Sequence, residues 1–387
     1  MPGLQNLKYV LLILLNGSIL YCGIAAAEEP LHTTILLESR FPGHAETMWH
    51  PVLHKETEES GFEIEVTGGG HGDPLLVSDL ERANKPESLS GANLLEMSLH
   101  DAIAACDEGD INLLPLHRIL PDGAALADYI WNGVQPCAIG HSVWATYPVF
   151  DASRYIDESA PLLLQDFFNT TAFPGKRAMK KSPRAIVEWV LMIHGISRHD
   201  IYPALSSGEI WSLIEKSLEL LASEIIWVDT DQEALELLDN GSASFAMVSS
   251  NNLVRTIAEN KKRQRSVDHY GVIWNGAVAH MSLLAIPKNS ATDGLIDFLR
   301  VITAPIRNLQ LSTSLGYAPV SRGQSTFVNS DYLKALPVDE HASDLFWSNE
   351  KWWREQGGAI EALFHSFAER TFQLETAQKD ENIFGGW

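Results

Sequence analysis

Between Gly271 and Asn289 the chain reads GVIWNGAVAHMSLLAIPKN, a polar, tryptophan-bearing turn followed by the apolar run Leu283–Ile286 and closed by Pro287 and Lys288. A short apolar run between turn residues predicts a strand covered on both faces, and such a strand belongs inside an α/β sheet rather than at a solvated surface. His280 and Ser282 stand just ahead of the run. Spaced two apart, they share one side of an extended chain. Polar side chains gathered at the mouth of a buried strand are how open α/β sheets present a ligand site. The alternative is a strand start carrying two solvated polar residues.

The N-terminal segment, residues 1–27, reads as a secretory signal peptide. Lys8 supplies the positive region, Tyr9–Leu15 the apolar core, and Ala25-Ala26-Ala27 a small-residue cleavage site before Glu28. Asn16-Gly17-Ser18 interrupts the apolar core, which is too short to span a membrane. Tyr21 is too bulky for the usual lipobox before Cys22, which disfavours lipidation. The expectation is a soluble periplasmic protein cleaved near Ala27. About 360 residues then remain, more than one compact core usually holds, so two lobes are expected.

A formal charge of −22 argues against nucleic acid as a partner. It weakly favours a cationic ligand through long-range attraction. Of the three cysteines, Cys22 leaves with the signal peptide, and Cys106 and Cys137 remain in an oxidising compartment. Two thiols there usually pair, the alternative being two separated buried thiols. No Cys-x-x-Cys or Cys/His spacing marks a metal site, and no cofactor is expected.

Thr33–Leu37, Phe62–Val66, Asn93–Met97 and Ser142–Val149 read as strands, with helical stretches at Trp49–Glu59 and Leu99–Ala105 and a turn at Gly68-Gly69-Gly70. This alternation implies a largely parallel sheet with helices on both faces. A second set follows: a helical turn at Leu163–Phe168, a loop and strand over Pro174–Met179, and a helix running from Ser182-Pro183 through Met192. Ser at the N-cap with Pro at the first helical position is the start signal used there. Helices at Ile210–Leu221 and Gln232–Leu238 flank a strand at Ile225–Val228, and Phe245–Val248 is a further strand. Beyond the opening segment, Gly294–Ile302 and Ile306–Leu315 read as helices, and the chain from about Asp331 is helical and rich in tryptophan.

Gln165–Pro183, QDFFNTTAFPGKRAMKKSP, carries a DFF…FPGKR…SP pattern. Cys106-Asp107-Glu108-Gly109, Pro136-Cys137-Ala138-Ile139-Gly140, Ile273-Trp274-Asn275-Gly276, Gly316-Tyr317-Ala318-Pro319 and Trp352-Trp353 accompany it. Together these segments resemble the spermidine/putrescine-binding group of extracellular solute-binding proteins that serve ABC importers. The resemblance spans about residues 90–370, with FPGKR its most specific piece. It implies a type II periplasmic-binding-protein fold: two α/β lobes with mixed, mostly parallel sheets flanked by helices. Residues 28–141 and 278–325 would form the first lobe and 142–277 the second, with 326–387 as C-terminal helices packing on both. A small-molecule ligand would lie in the interlobe cleft, at strand carboxyl ends and helix N-termini. Lobe closure would then be read by membrane permease subunits, with the binding protein itself a monomer and not an enzyme.

A polyamine site needs aromatic walls for methylenes and carboxylates for the ammonium ends. At the positions matching that group this chain has His280 and Ser282 where acids are usual, Asn251 where an aromatic is usual, and Glu38-Ser39-Arg40-Phe41 where Trp-Gly-Gly is common. The loop Lys180-Lys181-Ser182-Pro183-Arg184 adds positive charge at an expected helix start, which favours an anionic group. A zwitterionic or carboxylate-bearing nitrogenous solute therefore fits as well as a polyamine. The cleft candidates are Glu38, Ser39, Arg40, Trp144, Trp227, Asn251, His280, Ser282 and Tyr317, with Arg40 the anchor for a ligand carboxylate. Trp144 and Trp227 have core packing as their alternative, Tyr317 has hinge packing, and the three basic residues have plain solvation.

The competing class is an exported, hydrolase-like enzyme using the same cleft. Gly140-His141-Ser142-Val143-Trp144 has the look of a nucleophile elbow but lacks its closing glycine. Gly68–Asp73 is an oxyanion or metal loop on that reading and a flexible turn otherwise. His-Glu-x-x-His and the phosphate-binding Gly-Lys-Ser/Thr loop are absent.

Overall fold

A computed structural model describes residues 33–39, 62–67, 93–130, 132–155 and 160–384. The expected signal peptide with Cys22, Arg40, the expected helix Trp49–Glu59 and the expected glycine turn at 68–70 lie outside the described residues. Among the described residues eleven strands form one sheet: β1 (Thr33–Ser39), β2 (Phe62–Thr67), β3 (Leu94–Ser98), β4 (Ala138–Asp151), β5 (Arg177–Lys180), β6 (Ile225–Val228), β7 (Phe245–Ser249), β8 (Tyr270–Val272), β9 (Val278–Ala285), β10 (Ala318–Pro319) and β11 (Phe346–Trp347). Their order is β2-β1-β3-β9-β4-β7-β5-β6, with β8 and β10 also on β4 and β11 on β9.

The ends of this sheet are parallel, β1 with β2 and β3, and β5 with β6 and β7. Its middle is antiparallel, because β9 runs against β3 and β4, and β4 runs against β7. A largely parallel sheet is thus the pattern of each end and not of the whole. The cause is β4, whose 14 residues make it long enough to serve two neighbours. Its Ala138–Thr146 portion pairs with β9 and its Thr146–Phe150 portion with β7. β4 carries the chain from the β1–β3 end of the sheet, the first lobe of this fold, to the β5–β7 end, the second, and β9 brings it back.

The apolar run of the opening segment is covered on both faces as its composition requires. Leu283 and Ala285 pack with Val143 and Ala145 on one side, whereas Leu284 and Ile286 pack with Leu37, Leu299 and Ile302 on the other. The strand is longer than that run, however. It begins at Val278, so His280 and Ser282 lie inside it, each paired with a residue of β4. Pairing to a partner strand supplies the backbone hydrogen bonds that apolar content alone did not reveal.

The helix expected from Ser182-Pro183 starts later, at Ile186, and runs to Ile193 with no side-chain cap. The chain first turns through Arg184 and Ala185, and Ala185 sits at φ 69°, left-handed for a non-glycine residue. Such a conformation costs on the order of 1 kcal/mol and persists only where neighbours hold it. Here Val187 N–H donates to Pro183 C=O at 3.0 Å, closing the turn that the Ser-Pro signal does not encode.

Cys106 and Cys137 form a disulfide that ties the helix Leu99–Glu108 to the start of β4, with Cα atoms 5.7 Å apart. At the C-terminal end, β11 joins β9 and the helix Gly358–Phe384 lays Phe364 and Phe367 against Trp227. Among the described residues no helix is long and apolar enough to cross a membrane.

Candidate functional site

One face of the first lobe's sheet changes from apolar to polar along a fixed direction. Ile35 and Leu37 of β1, Leu94 of β3, Ile139 of β4 and Leu284 of β9 belong to one buried apolar cluster. Continuing by twos along each strand, the same face carries Ser39, then Glu96 and Ser98, then Ser282 and His280. Cross-strand register aligns Ser39, Glu96, Leu284 and Ile139 in one row, Ser98, Ser282 and Ser142 in the next, and His280 with Trp144 in a third. The polar rows lie at the carboxyl ends of β1 and β3, where open α/β sheets hold ligands.

Ser142 and Trp144 reach this face only because β4 carries a bulge between Gly140 and Ser142. The extra residue, His141, shifts the alternation by one, so side chains that regular pleating would send to the far face return to the near one. The segment Gly140–Trp144 is therefore extended strand and not the strand-to-helix turn a nucleophile elbow requires. The Ser142 hydroxyl meets that of Ser282 at 3.3 Å.

Around the third row an aromatic cluster forms. Trp144 stacks on His280 with centroids 5.3 Å apart and planes 15° from parallel, and it meets Tyr317 edge-on at 5.6 Å. Asn251, in the first turn of the second lobe's helix Ser250–Lys262, donates from Nδ2 to the Tyr317 hydroxyl at 3.4 Å. Its Oδ1 is buried with no hydrogen-bond partner among the described residues. Gly316 makes this approach possible. It sits at φ 84°, and a Cβ there would lie 2.7 Å from the Asn251 Cα.

Two carboxylates that the sequence did not single out join the group. Glu96 is fully buried and accepts from Ser39 Oγ at 2.6 Å. Glu350, at the start of the helix Glu350–Gln356, takes His280 Nδ1 at 2.8 Å and Ser348 Oγ at 2.7 Å on one oxygen and Arg184 on the other. Burial acts against its charge, but the His280 hydrogen bond and the Arg184 guanidinium hold its carboxyl well below the usual carboxylate range. Nothing near Glu350 in sequence signals this; its histidine is separated by 70 positions.

Of the nine candidates, Trp144, Asn251, His280 and Tyr317 are brought together, and Ser39 and Ser282 lie in the adjoining rows of the same face. Glu38 is in β1, its backbone paired with Thr67 and Leu95. Arg40 lies outside the described residues. Trp227 is placed elsewhere. It sits on β6, at the end of the strand order in the second lobe, only 5% exposed and edge-on to Phe364, with Nε1 donating to Thr371 Oγ1 at 2.8 Å. The C-terminal helix covers that face of β6, which makes Trp227 a packing residue.

The basic loop is not a free cationic surface either. Lys180 pairs with the buried Asp231 at 2.7 Å, Lys181 with Asp229 at 3.3 Å, and Arg184 with Glu350. Each cation has its own acid, so the loop offers little of the net positive field expected from its sequence. Among the described residues no cluster of three His, Cys, Asp or Glu side chains is placed to hold a metal ion.

Two α/β lobes joined by strands that cross between them twice, with polar residues gathered near the crossing, define the type II periplasmic-binding-protein fold. Residues 55–334 match the bacterial extracellular solute-binding protein family, and the chain belongs to that family. It is 22% identical over 348 residues to the gamma-aminobutyric acid-binding protein of Pseudomonas aeruginosa, covering 89% of this chain and 94% of the relative. Among solved structures it is similar to the GABA receptor Atu4243, with a TM-score of 0.63 at 17% identity over 87% of this chain and 97% of that one. It is likewise similar to the spermidine/putrescine-binding protein PotD of Streptococcus pneumoniae, with a TM-score of 0.62 at 13% identity over 88% and 99%. The binding protein MotA of A. tumefaciens B6 in complex with glucopine gives 0.57 at 16% identity over 87% and 99%. At these identities the structural likeness is one of fold.

Proposed function

We propose that this protein is the periplasmic substrate-binding component of an ABC importer. Its solute is a small nitrogenous molecule, a polyamine or a related amine or zwitterion, which it captures between the lobes and delivers to the membrane permease. The observation that carries this reading is the aromatic wall of Trp144, His280 and Tyr317, with the buried Glu96 on the same sheet face and the partly buried Glu350 against His280. Aromatic faces attract an ammonium group and cover methylenes, and carboxylates accept charge-assisted hydrogen bonds from it. Relatives named for gamma-aminobutyric acid, for spermidine and putrescine, and for an opine complex are in keeping with that chemistry.

The test is a thermal-shift screen of the mature protein against gamma-aminobutyric acid, putrescine, spermidine, opines and small carboxylates, followed by calorimetry on each hit. A solute at a hundred times its dissociation constant adds about 2.7 kcal/mol of stability. Saturable binding of an amine or zwitterion without turnover is the expected result. A response confined to amine-free carboxylates, or formation of a product, contradicts the reading.

A further inference from the structure

The geometry points to Glu350 as the residue that sets His280 as a hydrogen-bond acceptor, and so selects an ammonium group at the Trp144 end of the cleft. This rests on the reading above that the Trp144, His280 and Tyr317 cluster lines the solute site. Glu350 is a positioning residue in this scheme, because it acts through the histidine.

The proton count around Glu350 fixes the direction of its bond to His280. An ionised carboxylate only accepts. One oxygen of Glu350 already receives the Ser348 hydroxyl, and the other receives the Arg184 guanidinium. Neither oxygen has a proton to give, so across the 2.8 Å contact it is Nδ1 of His280 that donates. A neutral imidazole with its hydrogen on Nδ1 carries a lone pair on Nε2.

The ring is held in place by more than this bond. It lies nearly parallel to Trp144, and its side chain is only 14% exposed. Glu350 is itself anchored, since the two residues after Lys351, Trp352 and Trp353, are buried in the second lobe's core. The imidazole therefore cannot easily turn to exchange the roles of its two nitrogens. In the same cluster Asn251, whose Nδ2 donates to the Tyr317 hydroxyl, has an Oδ1 that is buried without a hydrogen-bond partner among the described residues. Two neutral acceptors beside an aromatic face suit a group with several N–H donors and a positive charge. They suit a carboxylate poorly, since it has no hydrogen to offer. The predicted ligand class at this end is a primary or secondary ammonium group, whether of a simple amine or of an amino acid with a terminal amine.

The experiment reads the tautomer directly, with no solute present. Full-length mature protein labelled with ¹⁵N-histidine is examined by long-range ¹H–¹⁵N correlation at pH 8, with His280→Gln used to assign the ring. The expected pattern is hydrogen on Nδ1 and a lone pair on Nε2. In Glu350→Gln the amide offers its own N–H to Nδ1 and the hydrogen moves to Nε2, whereas Glu350→Asp keeps the original pattern. Affinity for whichever of gamma-aminobutyric acid or putrescine binds falls at least tenfold in Glu350→Gln and recovers in large part in Glu350→Asp.

Hydrogen on Nε2 in the parent protein, a doubly protonated ring at pH 8, or an unchanged tautomer in Glu350→Gln each overturns the inference. So does a tautomer that switches while amine affinity stays the same. The predicted tautomer together with no amine binding at all defeats the proposed solute class instead, which keeps the two failures apart.

Discussion

Arg354 reaches from the helix Glu350–Gln356 to Asp101 in the first turn of the helix Leu99–Glu108, and the pair is largely shielded, with side chains 12% and 6% exposed. The two ends are anchored in different apolar clusters, Leu99 and Ala102 in one and Trp352 and Trp353 in another. Trp352 and Trp353 bury the Arg354 helix in the cluster that holds Phe245 and Met247 of β7, and their indole nitrogens donate to Ser206 Oγ at 2.7 Å and Glu188 at 2.9 Å. Asp101 is held to the first lobe by the Ser98 hydroxyl at 2.7 Å, at the end of β3. Removing one partner of a buried ion pair strands the other charge and costs about 3–5 kcal/mol. Arg354→Met is expected to lose stability in that range and to widen the interlobe distance. Urea unfolding checks the first effect, and fluorescence energy transfer between labels on the two lobes checks the second. Asp101→Asn together with Arg354→Met should cost less than the two single losses added, because no charge is then left alone.

The disulfide makes its contribution in the unfolded chain. Cys106 and Cys137 are 31 positions apart, and closing a loop of that length removes unfolded-state entropy worth about 3–4 kcal/mol. Cys106→Ser with Cys137→Ser is expected to lower the urea midpoint accordingly while leaving solute affinity close to that of the parent, because the bridge joins a helix end to the start of β4 and not to the aromatic cluster. A large loss of affinity in a folded double variant contradicts this separation.

Local pattern made the sheet legible and left the site half hidden. Leu283–Ala285, Ile225–Val228 and Phe245–Val248 are strands because their apolar content is dictated by burial on both faces. The pairing of two exported cysteines follows from their compartment. What stayed hidden depends on distant partners. The bulge at His141 is set by β9, the inclusion of His280 in a strand is set by β4, and the acid that meets His280 arrives from the C-terminal segment. The later helix start at Ile186 has the same origin, since the Ser-Pro signal is satisfactory in isolation and is overruled by the turn through Ala185.

Trp144 and Trp227 show the same limit and allow a direct contrast. Both indoles follow short apolar or alternating runs, and only the long-range fold separates them. Trp227 is packed under Phe364 and Phe367, whereas Trp144 stacks on His280 beside Tyr317. Trp227→Ala is expected to cost about 3–5 kcal/mol of stability, the range for emptying a large aromatic from a core, with little change in affinity for the solute in the molecules that remain folded. Trp144→Ala should do the reverse, leaving most of the stability and losing at least tenfold in affinity. Denaturation and calorimetry on the two variants check both halves, and an affinity loss in Trp227→Ala equal to that in Trp144→Ala would falsify the assignment.

Glu188 gives stability a dependence on pH that can be isolated. The residue is fully buried in the second lobe, where Tyr202 and Trp353 both donate to Oε1, at 3.1 Å and 2.9 Å, and Oε2 has no hydrogen-bond partner among the described residues. Burial pushes its carboxyl up, and those hydrogen bonds together with the Arg184 charge offset this only in part. A carboxyl whose folded pKa is raised binds its proton more tightly in the native state than in the unfolded chain. Its contribution is then most favourable below the unfolded value, about 4.3 for glutamate, and declines as pH rises from there through the folded value. Glu188→Gln removes this titration while keeping the shape of the side chain. The stability of the parent protein minus that of the variant should therefore fall as pH is raised from 4 to 8, and the variant should be at least as stable as the parent at pH 8. Urea unfolding of both proteins at half-unit pH intervals measures the difference directly. A difference that is flat or rises with pH means that the Glu188 proton is held no more tightly in the folded protein than in the unfolded one.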